Sequence, residues 1–292
     1  GVWGGEDLPK DLPAELILGY HLIFYPDWLD FYRDDRAALK QKFGSLEVTA
    51  SFYGGLGPDT LLEQYRADLR RAVNLGARYV VFHVSDVSLE EGYTYRWLHT
   101  NQEVIDAAVE VVNLILGEER WPFEFLVENQ WWPGFTFTEP EETARLLEGI
   151  RFAGKGILLD TGHLMNACTE LKTEAEGADY IRSMLNRHGS LAKWVRGVHL
   201  HQSLSGAYVK ARTGLLPAGL PEDYGERFGV SYQHILQIDQ HRPWTDPAIL
   251  PVLEQIEPRY LTHELSSRGR MARAEAVSIQ TMLLRQGGRM RV

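Results

Sequence analysis

The sequence predicts an α/β fold, a (β/α)8 TIM barrel in a single domain, on three observations. Short β-branched or apolar runs alternate with longer amphipathic segments, the rhythm of parallel strands joined by helical crossovers. The length of 292 residues suits one such barrel. Most of the short runs also end on a carboxylate or an imidazole, and the carboxyl ends of barrel strands are where active sites sit.

The candidate strands are Leu16–Tyr20, Leu46–Phe52, Tyr79–His83, Phe123–Glu128, Gly156–Asp160, Val195–Leu200 and Tyr260–Glu264. One strand of the eight-fold pattern is not readable. Between them, Pro58–Leu75 carries Pro in its first turn and stops before Gly76, the punctuation of a helix. Asn101–Leu116 places Val104, Ala108, Val111, Val112 and Ile115 on one face and stops at Gly117. Glu139–Ile150, Ala175–Arg187, Pro247–Ile256 and Ala272–Arg285 complete the predicted helices. Residues 1–15 read as an N-terminal extension, and 201–244 as a long loop region over the active-site face.

The formal charge of −10 argues against a nucleic-acid partner, because each phosphate contact wants Lys or Arg. The single cysteine, Cys168, precludes an intrachain disulfide and points to a reducing, cytoplasmic setting; it reads as a small buried residue. The acidic N-terminus does not resemble a signal peptide, and no apolar run is long enough to span a membrane.

His83, Glu128, Asp160 and Glu264 end predicted strands, and His199 lies one residue before the end of another. One such carboxylate is ordinarily a helix cap or an ion-pair member, and one such histidine a hydrogen-bonded core residue. Their recurrence is different, because carboxylates crowded at the rim of a dry core repel one another unless a cation joins them. Glu128, Asp160, His199 and Glu264 are the predicted ligands. Mixed imidazole and carboxylate donors suit Zn²⁺ or Mn²⁺, and less well Mg²⁺ or Co²⁺. Around them, Tyr53, Tyr93, Tyr95, Trp97, Trp131 and Trp132 offer aromatic surface for a sugar ring, or pack loops against the rim. Asn129, His21, His99, His201 and Gln202 are candidate partners for substrate hydroxyls, and Arg268 or Arg270 for a substrate phosphate.

The segments Leu-Val-Glu128-Asn, Leu-Leu-Asp160-Thr-Gly-His163, Val-His199-Leu-His201 and Thr-His-Glu264 resemble the xylose-isomerase-like barrel superfamily. That group holds sugar isomerases, ketose epimerases and endonuclease IV-type abasic-site nucleases. The resemblance implies that Glu128, Asp160, His199 and Glu264 hold the metal and that Glu128 and Glu264 move protons. It also implies His83, His163, Asp239 and His241 as ligands of a second metal or partners of substrate. Ser51-Phe52-Tyr53-Gly54-Gly55 lacks the histidine that the nuclease branch carries on its second strand.

The expected activity is a metal-dependent isomerase or epimerase of a sugar or sugar-like polyol, phosphorylated or not, acting through an enediolate. A dehydratase is chemically adjacent. The alternatives are a metal-dependent phosphodiesterase of the endonuclease IV kind and a ligand-binding barrel without catalysis. The expected partner is a small carbohydrate, and a homo-oligomer is compatible with the sequence.

Overall fold

The structure is a computed structural model that describes residues 2–3, 17–266 and 269–287. Its strands are β1 (Val2–Trp3), β2 (Gly19–His21), β3 (Tyr79–His83), β4 (Glu124–Glu128), β5 (Lys155–Asp160), β6 (Val195–Leu200) and β7 (Tyr260–His263). They form one seven-stranded sheet in chain order, and every neighbouring pair is parallel. Helices connect β2 to β7 in turn, as parallel pairing requires. Among the described residues no eighth strand is present, and β1 and β7 are the sheet's ends.

The predicted helices are present with small shifts of boundary: Pro58–Asn74, Asn101–Leu116, Pro140–Gly149, Glu174–His188, Leu250–Ile256 and Arg270–Gln286. Other readings are corrected. Leu46–Tyr53 is a helix, not a strand: the Ser45 hydroxyl accepts from Val48 N at its start, and Gly54 takes a left-handed φ of 76° at its end. Residues 2–3 of the supposed extension are a strand of the sheet. The supposed loop region 201–244 carries the helices Gly206–Arg212 and Tyr224–Ile238. Cys168 is half-buried rather than buried. Among the described residues no helix is long and apolar enough to cross a membrane.

The two-residue period of the strands separates two cores. Val80, Phe82, Phe125, Val127, Ile157, Leu159, Val198 and Leu200 pack into the large cluster shared with the helices. The alternate positions Tyr79, Val81, Leu126 and Leu158 form a small cluster of their own, with Tyr260 against it. Continued toward the carboxyl ends, this second set of positions arrives at His21, His83, Glu128, Asp160 and His199. Strand pairing sets His83 opposite Glu128 and Asp160 opposite His199. The alternation that fills the interior with apolar side chains thus delivers imidazoles and carboxylates to its top.

Candidate metal centre

Glu128 is the hub, with no exposed surface. Its Oε2 lies 3.2 Å from His21 Nε2 and 3.2 Å from His83 Nε2. Its Oε1 lies 3.2 Å from His199 Nδ1 and 3.5 Å from His163 Nδ1. The two oxygens of one carboxylate therefore face two different groups of imidazoles. His199 Nδ1 also contacts the Glu264 carboxylate and sits 3.9 Å from Asp160 Oδ2. Beyond Asp160, His201 Nε2 is 2.9 Å from its Oδ2, and His163 and His241 meet Asp239 Oδ2 at 3.3 and 2.6 Å.

These side chains fall into overlapping donor sets whose ligand atoms lie within 4.8 Å of one another: His21–His83–Glu128, His21–His199–Glu264, Glu128–Asp160–His199–Glu264 and His163–His201–Asp239–His241. The predicted four ligands do converge. His83, His163, Asp239 and His241 join them in one continuous cluster. His21, expected only as a partner for hydroxyls, belongs to two of these sets. It stands beside His83 and Glu128 at the end of β2, the sheet's second strand. The apolar run that marks its strand in the sequence stops at Tyr20, one residue short.

Local structure fixes these groups. Asp160 caps the helix Thr161–Asn166, its Oδ1 accepting from His163 N at 2.6 Å, so it serves as helix cap and donor at once. Asn129 donates to Asp160 O at 3.0 Å and accepts from Asp160 N at 2.8 Å, locking β4 to β5. Gly162 follows from packing: a Cβ there would lie 2.0 Å from His201 Cε1. Trp244 Nε1 donates to His201 O, and His241 Nδ1 pairs with Glu264 O.

Other predicted residues lie elsewhere or act differently. Tyr53 is buried in the core, stacked on Phe31 with its hydroxyl on Asp27 O, so it does not face substrate. Asn129 spends its amide on the backbone and has no surface for a substrate. His201, a candidate partner for substrate hydroxyls, is fully buried and stacks on His241. His99 pairs with Asp30, away from the donors. Trp131 does border the site, its ring 5.2 Å from that of His163. Arg268 lies outside the described residues.

The cluster's charges are compensated internally by imidazoles. Burial pushes Glu128 up, but His83 and His199 outweigh it and hold its carboxyl well below the usual range. Burial likewise opposes Glu264 and Asp239, and His199 and His163 respectively draw them down. Burial lowers His199 and His163, yet Glu264 raises the first and Asp160 the second well above an ordinary imidazole. His241, opposed by burial and raised by Asp239, reaches about 9, while burial takes His21 down to about 4. Imidazole and carboxylate thus balance one another where the donor sets overlap, and metal binding there requires the imidazoles to give up their protons. Asp239 Oδ1 and His201 Nδ1 are buried without a hydrogen-bond partner among the described residues, as a donor set built for a cation requires. The donor chemistry fits a divalent cation.

A family model described as xylose isomerase-like TIM barrel matches residues 14–255. The chain belongs to that family. No curated protein matches. Among solved structures, a D-tagatose 3-epimerase-like protein is 16% identical, with 94% of this chain and 82% of that chain covered and a TM-score of 0.50. Endonuclease IV from Thermus thermophilus is 18% identical over 78% of this chain and 70% of that one, with a TM-score of 0.47. Mannonate dehydratase from Streptococcus suis serotype2 is 12% identical over 98% and 93%, also with a TM-score of 0.47. Members of the family are mostly enzymes, and this level of likeness establishes the fold alone.

Proposed function

We propose that the chain is a hydrolase of phosphoesters that works with more than one divalent metal ion. The observation that carries this reading is the arrangement around Glu128: each carboxylate oxygen faces its own group of imidazoles, and further donors continue through Asp160 to Asp239. Bound there, divalent ions supply Lewis acidity to a phosphoryl oxygen and lower the pKa of water. The chain's own residues do the rest. His83, His163, Asp239, His241 and Glu264 line a cavity of about 770 Å³ and present the edge of the cluster to a substrate. Glu264, held below the usual carboxylate range, stays ionised and accepts a hydrogen bond from the attacking water. Arg273 also lines the cavity, where it meets phosphoryl charge.

The isomerase or epimerase reading is supported by the convergence of Glu128, Asp160, His199 and Glu264. It requires Glu128 to exchange a proton with a substrate carbon. Glu128 is sealed behind imidazoles and does not line the cavity, so it holds metal and leaves proton transfer to others. The substrate is a small molecule rather than a DNA strand, in keeping with the formal charge of −10. An eight-stranded closed barrel and a cytoplasmic setting, the latter supported by the single cysteine, belong to the same proposal.

The test is a paired assay of the metal-loaded protein in deuterated water. Phosphate release from ribose 5-phosphate supports hydrolysis. Deuterium entering a ketose carbon, with no phosphate released from any ester, overturns it in favour of the isomerase.

A further inference from the structure

The cavity above the donors has two unlike ends. One is the edge of the cluster. The other is aromatic: Phe24, Tyr93, Trp131, Trp132, Phe228 and Tyr232 line it. Trp131 and Trp132 belong to neither barrel core. They form a separate apolar cluster with Val87, Val209 and Ile238. The two indoles lie 4.2 Å apart and tilted by 40°, and Trp131 is 5.2 Å from the His163 ring. Aromatic surface therefore begins where the donors end.

The wall is held in place before anything binds. Phe135 N donates to Val84 O, Asp86 N to Pro133 O and Gln130 N to Phe135 O, which folds the segment carrying both tryptophans back onto the end of β3. Gly134 makes that approach possible, with φ at 129° and its missing Cβ 2.3 Å from Val84 O. Ordering cost at binding is correspondingly small. Trp132 Nε1 is a buried donor without an acceptor among the described residues, and the Ser231 hydroxyl on the same cavity is likewise unpartnered. Buried donors are ordinarily satisfied, so this pair is matched to acceptors that a ligand brings.

We propose, building on the hydrolytic reading, that the substrate is a phosphoester whose organic part carries a flat aromatic or heteroaromatic ring with hydrogen-bond acceptors. The phosphoryl group lies at His83, His163 and Asp239, and the ring lies along Trp131 and Trp132. A polyol alone leaves the aromatic end unfilled. A polynucleotide strand needs a run of cations along its backbone, and among the described lining residues Arg273 is the one Lys or Arg. In the reaction the oxygen of water bonds to phosphorus, the phosphorus–oxygen bond to the organic part breaks, and a proton from the water ends on the departing oxygen.

The experiment uses adenosine 5′-monophosphate and ribose 5-phosphate, which share one ester linkage and differ by the ring. Binding to the metal-free protein is read by tryptophan fluorescence, and turnover of the metal-loaded protein by phosphate release. The adenosine ester is expected to bind about 10-fold or more tightly than the ribose ester, the scale of one base stacked on an aromatic side chain. Trp132→Ala is expected to bring the ratio of the two affinities near one, and Trp132→Phe, which keeps a ring and guards against a folding defect, to retain most of it. Equal affinities in the wild type, or a ratio unaffected by Trp132→Ala, overturn the aromatic subsite while leaving hydrolysis standing. Preferred binding of the adenosine ester with neither ester hydrolysed overturns the hydrolytic reading and leaves the ring subsite standing.

Discussion

Asp27, Asp30 and Asp86 are buried around Lys42, whereas Glu128, Asp160, Asp239 and Glu264 are buried or nearly so among imidazoles. Lys42 Nζ reaches Asp27 Oδ1 and Asp30 Oδ2, each at 2.7 Å, and His99 meets Asp30 at 3.2 Å. Asp86 spends one oxygen on Trp28 N and Leu29 N. In this first cluster the cation is part of the chain and cannot leave. Its carboxylates hold the segment 27–30 against the loop after β3. In the second cluster, among the described residues, no Lys or Arg contacts the carboxylates, and their partners are histidines. An imidazolium can give up its proton to let the ring bind a metal, and an ammonium so placed cannot. The contrast separates a structural use of buried charge from a chemical one.

The largest expected effect comes from chelation. Complete removal of divalent metal abolishes turnover while circular dichroism stays that of the folded chain, because His–carboxylate pairs hold the emptied cluster together. Unfolding on chelation would instead make the donors structural, like the Lys42 cluster. Next is Lys42→Met, which leaves buried carboxylates unpaired. It lowers unfolding free energy in urea by about 3–5 kcal/mol, and a loss below about 1 kcal/mol would break the structural half of the comparison. Asn129→Ala is milder: it frees the Asp160 backbone and weakens metal binding about 10–100-fold in a competition titration, the usual effect of losing a residue that orients a ligand.

The smallest effect is the pH dependence of folding through the first cluster. Burial raises Asp27 from 3.8 to about 7 despite Lys42, so the folded state holds this proton more tightly than the unfolded one. Its contribution favours folding below the unfolded value and fades as pH rises from about 4 to about 7. Asp30 runs the other way. Burial opposes it, but His99 and Lys42 hold it at about 2, so its contribution is present above 3.8 and is lost as pH falls toward 2. Asp27→Asn is expected to flatten the upper slope of a denaturation profile and leave the lower one. An unchanged upper slope would remove Asp27 as its source.

Much of the second cluster was legible because period-two alternation is a strong signal when a strand is long enough to show it. Tyr79–His83 and Gly156–Asp160 each end a clear apolar run on a polar residue. His21 was harder to see, since β2 has only three residues and little alternation to read. Val48, Thr49 and Phe52 look like strand residues, yet the Ser45 cap and the Gly54 stop were the decisive local signals, and together they make a helix. That error put the second strand at 46–52 and hid His21, which ends the sheet's actual second strand. The Lys42 cluster was not legible at all. Its aspartates come from positions 27, 30 and 86, and nothing in their spacing announces that a lysine at 42 will fold between them.

The central claim is that the imidazole-rich cluster holds several metal ions through Glu128. Metal content per chain, measured after loading with zinc and removing the excess, tests it most directly. The account predicts at least two ions bound to the wild type and fewer bound to His21→Ala, with the ion at Glu128, Asp160, His199 and Glu264 retained. One ion or none in the wild type, or a content that His21→Ala leaves unchanged, would contradict it.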